Sequence, residues 1–161
     1  MSISIVRPYN INNMFNVLGR PYKNNKKEII NMAKISFDFD GTLARETIQR
    51  YATELIDRGH EVCIITSRLK SPRPLYGLKM MVDNKDLYEV ADRLGITDIN
   101  FTNLQSKVET VKAKDIDLHL DDCSFELQEI ASDPDCKAAG VSVWRTPNWR
   151  NKYEKALRRL Q

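Results

Sequence analysis

Asp38 and Asp40 stand two residues apart in the run Ile35-Ser36-Phe37-Asp38-Phe39-Asp40-Gly41-Thr42-Leu43. Two carboxylates this close are costly to ionise together unless a cation neutralises them or one holds a proton. The run reads as a buried strand whose period-2 alternation puts both carboxylates on one side, at its carboxyl end. Gly41 lets the backbone turn sharply, and Thr42 offers a hydroxyl and an N–H to an anion. A strand running into a polar turn would account for Asp-Gly alone. It leaves the second Asp, inside an otherwise apolar strand, unexplained.

The surrounding chain predicts elements that carry other polar groups to the same kind of position. Ile48, Tyr51, Ala52, Leu55 and Ile56 recur at helical spacing up to Gly59. Glu61 to Thr66 is a second buried strand, followed by Ser67 and Arg68. Leu87, Val90, Ala91 and Leu94 mark a second helix stopped by Gly95, and Asp98 to Thr102 a third strand. Ser106-x-x-Glu109 predicts a capping box opening a helix with Val108 and Val111 inward. Ile116 to Leu120 is a fourth strand running into Asp121-Asp122. Phe125, Leu127, Ile130 and Ala131 fit a helix halted at Asp133-Pro134; Gly140 to Trp144 is a fifth strand and Trp149 to Leu160 a closing basic amphipathic helix.

Alternating strands and helices predict an α/β fold, a doubly wound, Rossmann-like three-layer domain with a five-stranded parallel sheet. Ligands of such sheets bind outside the carboxyl ends of the strands, where Asp38, Asp40, Thr66, Asp121 and Asp122 fall.

These residues bear a resemblance to the haloacid dehalogenase (HAD) superfamily, whose nucleophile motif Asp-x-Asp-Gly-Thr-Leu is matched without a gap at Asp38 to Leu43. Thr66 is similar to its second motif, Lys107 to its third and the pair Asp121 and Asp122 to its fourth, over about residues 34–145. The resemblance implies a Mg²⁺-dependent phosphatase. Asp38 would attack phosphorus to give an aspartyl-phosphate, and Asp40 would serve as acid and then base. Thr66 and Lys107 would bind phosphoryl oxygens, aided by the helix end at Ser106, with Thr42, Ser67 and Arg68 as further substrate contacts. Mg²⁺ would be held by Asp38, Asp121 or Asp122 and the Asp40 carbonyl.

Competing readings accompany several of these residues. Lys112 or Lys114 could replace Lys107, but both lie at the far end of their helix. Thr66 could simply end a strand, and Arg68 could be an exposed turn residue instead of a phosphate clamp. His119, between Leu118 and Leu120, reads as a packed, hydrogen-bonded residue, and Cys123 as small packing.

The connections at the family's two cap positions are too short for a cap domain, so the resemblance is to the capless type. Such members take large or extended substrates, which makes a phosphorylated small molecule, a nucleotide or a nucleic-acid end the expected partner. Only Leu69 to Asp86, with Lys70, Arg73 and Lys79, is long enough for a lid; otherwise it is a surface connection. The alternatives are a receiver-like signalling domain, disfavoured because no Asp ends the third strand, and a catalytically silent HAD fold used for binding. No P-loop, Gly-x-Ser-x-Gly or zinc spacing is present.

Composition sets the outer limits. The 161 residues, 42% apolar and 29% charged, suit one domain with an ordinary core. Residues 1–33 hold seven asparagines and a charge of +4, which leaves the remainder at −1 out of the total of +3. That stretch is expected to be a weakly ordered basic extension before a domain at 34–161, with Met32 an alternative start; a basic arm for nucleic acid is the competing reading. Three cysteines with no Cys-x-x-Cys spacing suit a reducing cytoplasm, no apolar run is long enough for a membrane, and no obligate protein partner is evident.

Overall fold

A computed structural model describes residues 32–160 apart from 73, 76, 77, 80–82 and 145, and of residues 74, 75, 78 and 79 only the backbone. Of the expected extension at 1–33, residues 1–31 therefore lie outside the described residues, whereas Ala33 is buried in the core of the domain. In chain order the elements are β1 (Lys34–Phe37), a tight turn (Phe39–Leu43), α1 (Glu46–Asp57), β2 (Glu61–Thr66), β3 (Pro74–Leu75), β4 (Leu78–Lys79) and α2 (Lys85–Leu94). Then follow β5 (Ile99–Phe101), α3 (Val108–Ala113), β6 (Leu118–Asp121), α4 (Ser124–Ser132), β7 (Ala139–Ser142) and α5 (Trp149–Arg158).

Five strands form one sheet in the order β5-β2-β1-β6-β7, and every pairing in it is parallel. Parallel strands are covered on both faces and so are largely apolar. Alternation along β2 shows how: Ile64 joins a core with Ile35, Phe37, Leu118, Leu120, Tyr51 and Tyr153, while Cys63 and Ile65 join Val108, Val111, Ile116 and Ile130 on the other face. Helices α1, α2 and α5 cover the first face, and α3 and α4 the second. The fold is thus the expected three-layer α/β arrangement.

From β1 the chain winds outward through β2 to β5, then returns to the far side of β1 with β6 and β7. The strand order reverses between β1 and β6, so the crevice at their carboxyl ends is the switch point at which such sheets bind ligands. Asp38 follows β1, and Asp121 ends β6.

Several boundaries differ from the sequence expectation. The first strand ends at Phe37, and both carboxylates of the first motif lie beyond it, Asp40 inside the turn. The capping box does not form. Ser106 Oγ accepts the Val108 N–H at 3.3 Å, whereas Glu109 pairs with Lys112, and α3 is only six residues long. Phe125 is 65% exposed because α4 starts at the rim of the sheet and brings only Ile130 fully inward. Cys123 is likewise exposed and not packing.

No cap domain interrupts the described residues. The 69–86 connection carries the small antiparallel hairpin β3–β4. Its base is closed by Asn84 Nδ2 donating to the Leu69 carbonyl at 2.9 Å. The side chains of Arg73 and Lys79, on which the lid expectation depends, lie outside the described residues. No helix is long and apolar enough to cross a membrane among the described residues.

α5 docks through aromatic edges: Tyr51 meets Trp149 at 5.2 Å and Tyr153 at 5.4 Å between ring centroids. Tyr153 is fully buried, and its hydroxyl has no hydrogen-bond partner among the described residues. Tyr153→Phe should therefore stabilise the chain, by about 1 kcal/mol in urea unfolding, because an unsatisfied buried hydroxyl is removed. Tyr153→Ala should cost about 3–5 kcal/mol through the cavity it leaves. A Phe variant less stable than the unaltered chain would show that the hydroxyl is satisfied.

Candidate active site

Lys107 reaches the crevice from the α3 side of the sheet, and its Nζ donates to Asp38 Oδ1 and to Asp121 Oδ2, each at 2.7 Å. All three side chains are buried: Lys107 is 2% exposed, Asp38 5% and Asp121 0%. Of the three lysines considered from sequence, this is the one in the site. Lys112 pairs with Glu109 and Asp133, and Lys114 with Asp98.

One ammonium shared by two carboxylates leaves the burden unequal. Burial works against ionised Asp121, but His119 and Lys107 outweigh it and hold that carboxyl below its ordinary range. Burial likewise pulls Lys107 down, yet Asp38 and Asp121 together raise it and keep it charged. Asp38 is the group left short. Burial lifts its carboxyl from 3.8 to about 7, opposed by Lys107 and reinforced by the charge of Asp121.

Asp122 completes the cluster, for Asp38, Asp121 and Asp122 each offer an oxygen within 4.8 Å of the others. Its place depends on Gly41, whose φ is +70° and whose absent Cβ would lie 2.6 Å from the Asp122 carboxyl carbon. The turn thus needs glycine twice, for its backbone and for the carboxylate lying against it. Thr42, buried, points Oγ1 at Asp122 Oδ1 across 3.5 Å, a contact too long to be a strong hydrogen bond.

These residues fit a divalent cation. The donors are hard carboxylate oxygens, the set that Mg²⁺ and Ca²⁺ take. With all three carboxylates ionised against the one ammonium, two negative charges remain, which a divalent ion would offset.

The other expected residues are distributed differently. Asp40 lines the same cleft, of about 320 Å³, but its side chain stands apart from the three converging carboxylates. Its oxygens accept from Arg68 Nε at 2.8 Å and Nη2 at 2.7 Å. Arg68 also grips Asp86 through Nη1 at 2.6 Å and Nη2 at 2.9 Å, and its guanidinium lies over the Phe39 ring at 4.7 Å. Those bonds, first to Asp86 and then to Asp40, raise Arg68 further above its ordinary range and depress Asp86. A guanidinium engaged by two carboxylates is poorly suited to be a phosphate clamp.

Thr66 is fully buried and is not among the residues lining the cleft; its Oγ1 accepts the Arg68 N–H at 3.3 Å. Ser67 does line it, donating to Glu126 Oε1 at 3.2 Å.

Glu126 was not singled out from sequence. It sits in the first turn of α4 and accepts the Lys107 backbone N–H at 3.2 Å as well as the Ser67 hydroxyl. An anion at the start of α3 would meet this carboxylate, so the helix end expected to assist a phosphoryl group is already occupied. Its signal was available: a first-turn acid five residues beyond Asp121, just past a strand end.

His119 is fully buried, as expected of a packed residue. Burial holds it below the ordinary histidine range and therefore neutral near pH 7.

The chain matches no protein-family model and no curated protein sequence.

Metal-free stability should report the strain on Asp38. A carboxyl that binds its proton more tightly when folded costs stability as pH rises from its unfolded value, 3.8, through about 7. Above that window the full penalty stands. In chelator at pH 8, Asp38→Asn should melt roughly 5 °C higher than the unaltered chain, with little difference near pH 4. Equal melting temperatures at pH 8 would mean that Lys107 alone compensates the charge.

Proposed function

We propose that the chain is a Mg²⁺-dependent phosphomonoester hydrolase that works through an aspartyl-phosphate on Asp38. The observation carrying this reading is the sharing of Lys107 by Asp38 Oδ1 and Asp121 Oδ2, beside Asp122, at the switch point of a parallel sheet. Asp38 lines the cleft, and its Oδ2 has no hydrogen-bond partner among the described residues, which supports Oδ2 as the attacking oxygen.

A phosphate monoester repels an attacking anion, so charge must be cancelled first. Asp38, Asp121 and Asp122 would hold Mg²⁺, which would supply Lewis-acid charge neutralisation there. Lys107 adds a fixed ammonium next to the nucleophile. Asp38 Oδ2 forms the new bond to phosphorus as the bond to the leaving oxygen breaks, and Asp40 gives that oxygen a proton. Water then cleaves the acyl phosphate, with Asp40 accepting its proton and Asp38 regenerated. Arg68 becomes the group that orients Asp40, since each Asp40 oxygen keeps a second lone pair. The cleft is open and no cap covers it among the described residues, which favours large or extended substrates such as a nucleotide or a nucleic-acid end.

The full chain, assayed on a panel of sugar, nucleotide, oligonucleotide and aryl phosphates, should release phosphate with Mg²⁺ and not with chelator. Asp38→Asn should lower turnover at least about 10³-fold. Turnover that persists undiminished in that variant, or in chelator, would remove Asp38 or the metal from the chemistry.

A further inference from the structure

Parallel strands in the centre of a sheet are normally apolar on both faces. Short of the carboxyl ends of the central strands, where Thr66 and Asp121 lie, two residues break that rule. Ser36 in β1 and His119 in β6 are both completely buried, and they are direct register partners across the two strands. A buried polar group left unpaired costs stability, so this pair requires an explanation.

Their position supplies one. Strand alternation puts Ser36 on the same face as Asp38, and His119 on the same face as Asp121. The two polar residues form a layer one rung beneath the two carboxylates. Ser36 Oγ lies 2.8 Å from His119 Nδ1, and His119 Nε2 lies 3.0 Å from Asp121 Oδ2. An ionised carboxylate can only accept, so Nε2 carries the imidazole proton. Nδ1 is then the acceptor, and the Ser36 hydroxyl donates to it. Hydrogen bonds thus run in one direction, from Ser36 through His119 to Asp121.

Asp121 is held from three sides. Oδ2 accepts from Lys107 and His119, and Oδ1 accepts the Cys123 N–H at 2.8 Å. With the carboxylate plane fixed this way, Oδ1, with one contact against two on Oδ2, keeps a lone pair for a further partner. A neutral imidazole suits the task better than a second ammonium. It favours the ionised carboxylate and fixes its rotation without adding a positive charge that would repel a metal ion.

We infer that the buried pair Ser36–His119 is a positioning device that aims Asp121 at the divalent cation. This inference rests on the metal-dependent reading of the site. It concerns binding affinity and not turnover, and groups in such a supporting shell typically alter metal affinity about 10–100-fold.

The test is isothermal titration of the full-length chain with Mg²⁺ alone, without substrate, comparing the unaltered protein with three variants. His119→Leu, which keeps bulk but has no donor, should weaken Mg²⁺ binding at least about 10-fold. His119→Gln, whose amide can still donate to Asp121, should recover most of that loss. Ser36→Ala removes the anchor of the ring with little change in volume and should weaken binding by roughly 3-fold or more.

A purely structural role would lower the melting temperature of these variants while leaving the Mg²⁺ dissociation constant unchanged, and that result would overturn the inference. Should His119→Leu fail to fold, Ser36→Ala decides: unchanged affinity there refutes the device. Absence of Mg²⁺ binding in the unaltered chain would remove the metal reading itself. Binding lost in Asp121→Ala but intact in all three variants would remove only the role assigned to Ser36 and His119.

Discussion

Lys107 Nζ lies 2.7 Å from both Asp38 and Asp121, with all three groups withdrawn from water. Ions this deeply buried lose hydration worth several kcal/mol each, and mutual attraction restores it only if the geometry is close. Removing the ammonium, which would leave two buried carboxylates uncompensated, typically costs about 3–5 kcal/mol. The contact also spans the sheet, joining the end of β1, the end of β6 and the start of α3. Much of what surrounds it can be understood as keeping this arrangement affordable. Ser36 and His119 support Asp121 from below, Cys123 N–H from the side, and Glu126 fixes the backbone of Lys107 itself.

The compensation is incomplete, and the proposed chemistry would draw on that incompleteness. One ammonium serves two carboxylates and Asp122 adds a third; burial first, and the neighbouring carboxylates after it, push the Asp38 carboxyl up to about 7 against the pull of Lys107. A fold selected only for stability would have no reason to gather these charges. The proposed hydrolase, which must bring an anion against an anion, would have one, because the same deficit would favour binding of a divalent cation and then of a phosphoryl group. Arg68 plays a separate part: tied to Asp40 and Asp86, it links the turn after β1 to the first turn of α2 at the base of the 69–86 connection.

Much of this was legible in the sequence because it depends on short-range periodicity. Buried strands announced themselves as apolar runs, and helices α1 and α2 as 3.6-residue patterns ended by Gly59 and Gly95. Lys107 could be preferred to Lys112 and Lys114 because helical geometry places only the first near a strand end. What failed was long-range. Ser106 and Glu109 have capping-box spacing, but Glu126 from another helix takes the Lys107 N–H, and Lys112 takes Glu109. Arg68 looked free until Asp40 and Asp86 closed on it. His119 was seen as a packed residue, yet its partners lie on β1 and at the end of its own strand, and only the β1–β6 register brings Ser36 opposite. Thr66 ends β2 as expected but turns inward to its own loop, which spacing alone does not reveal.

Whether Asp38 itself becomes phosphorylated is the question on which the functional account turns. An excess of the full-length chain with Mg²⁺ and a small aryl phosphate, quenched in acid within one turnover and reduced with borohydride, captures an acyl phosphate as homoserine. Peptide mass mapping then locates it. The account predicts reduction at Asp38, dependent on substrate and lost when chelator replaces Mg²⁺. Phosphate release within the same turnover with no reduction at Asp38, or with reduction at another carboxylate, would contradict it.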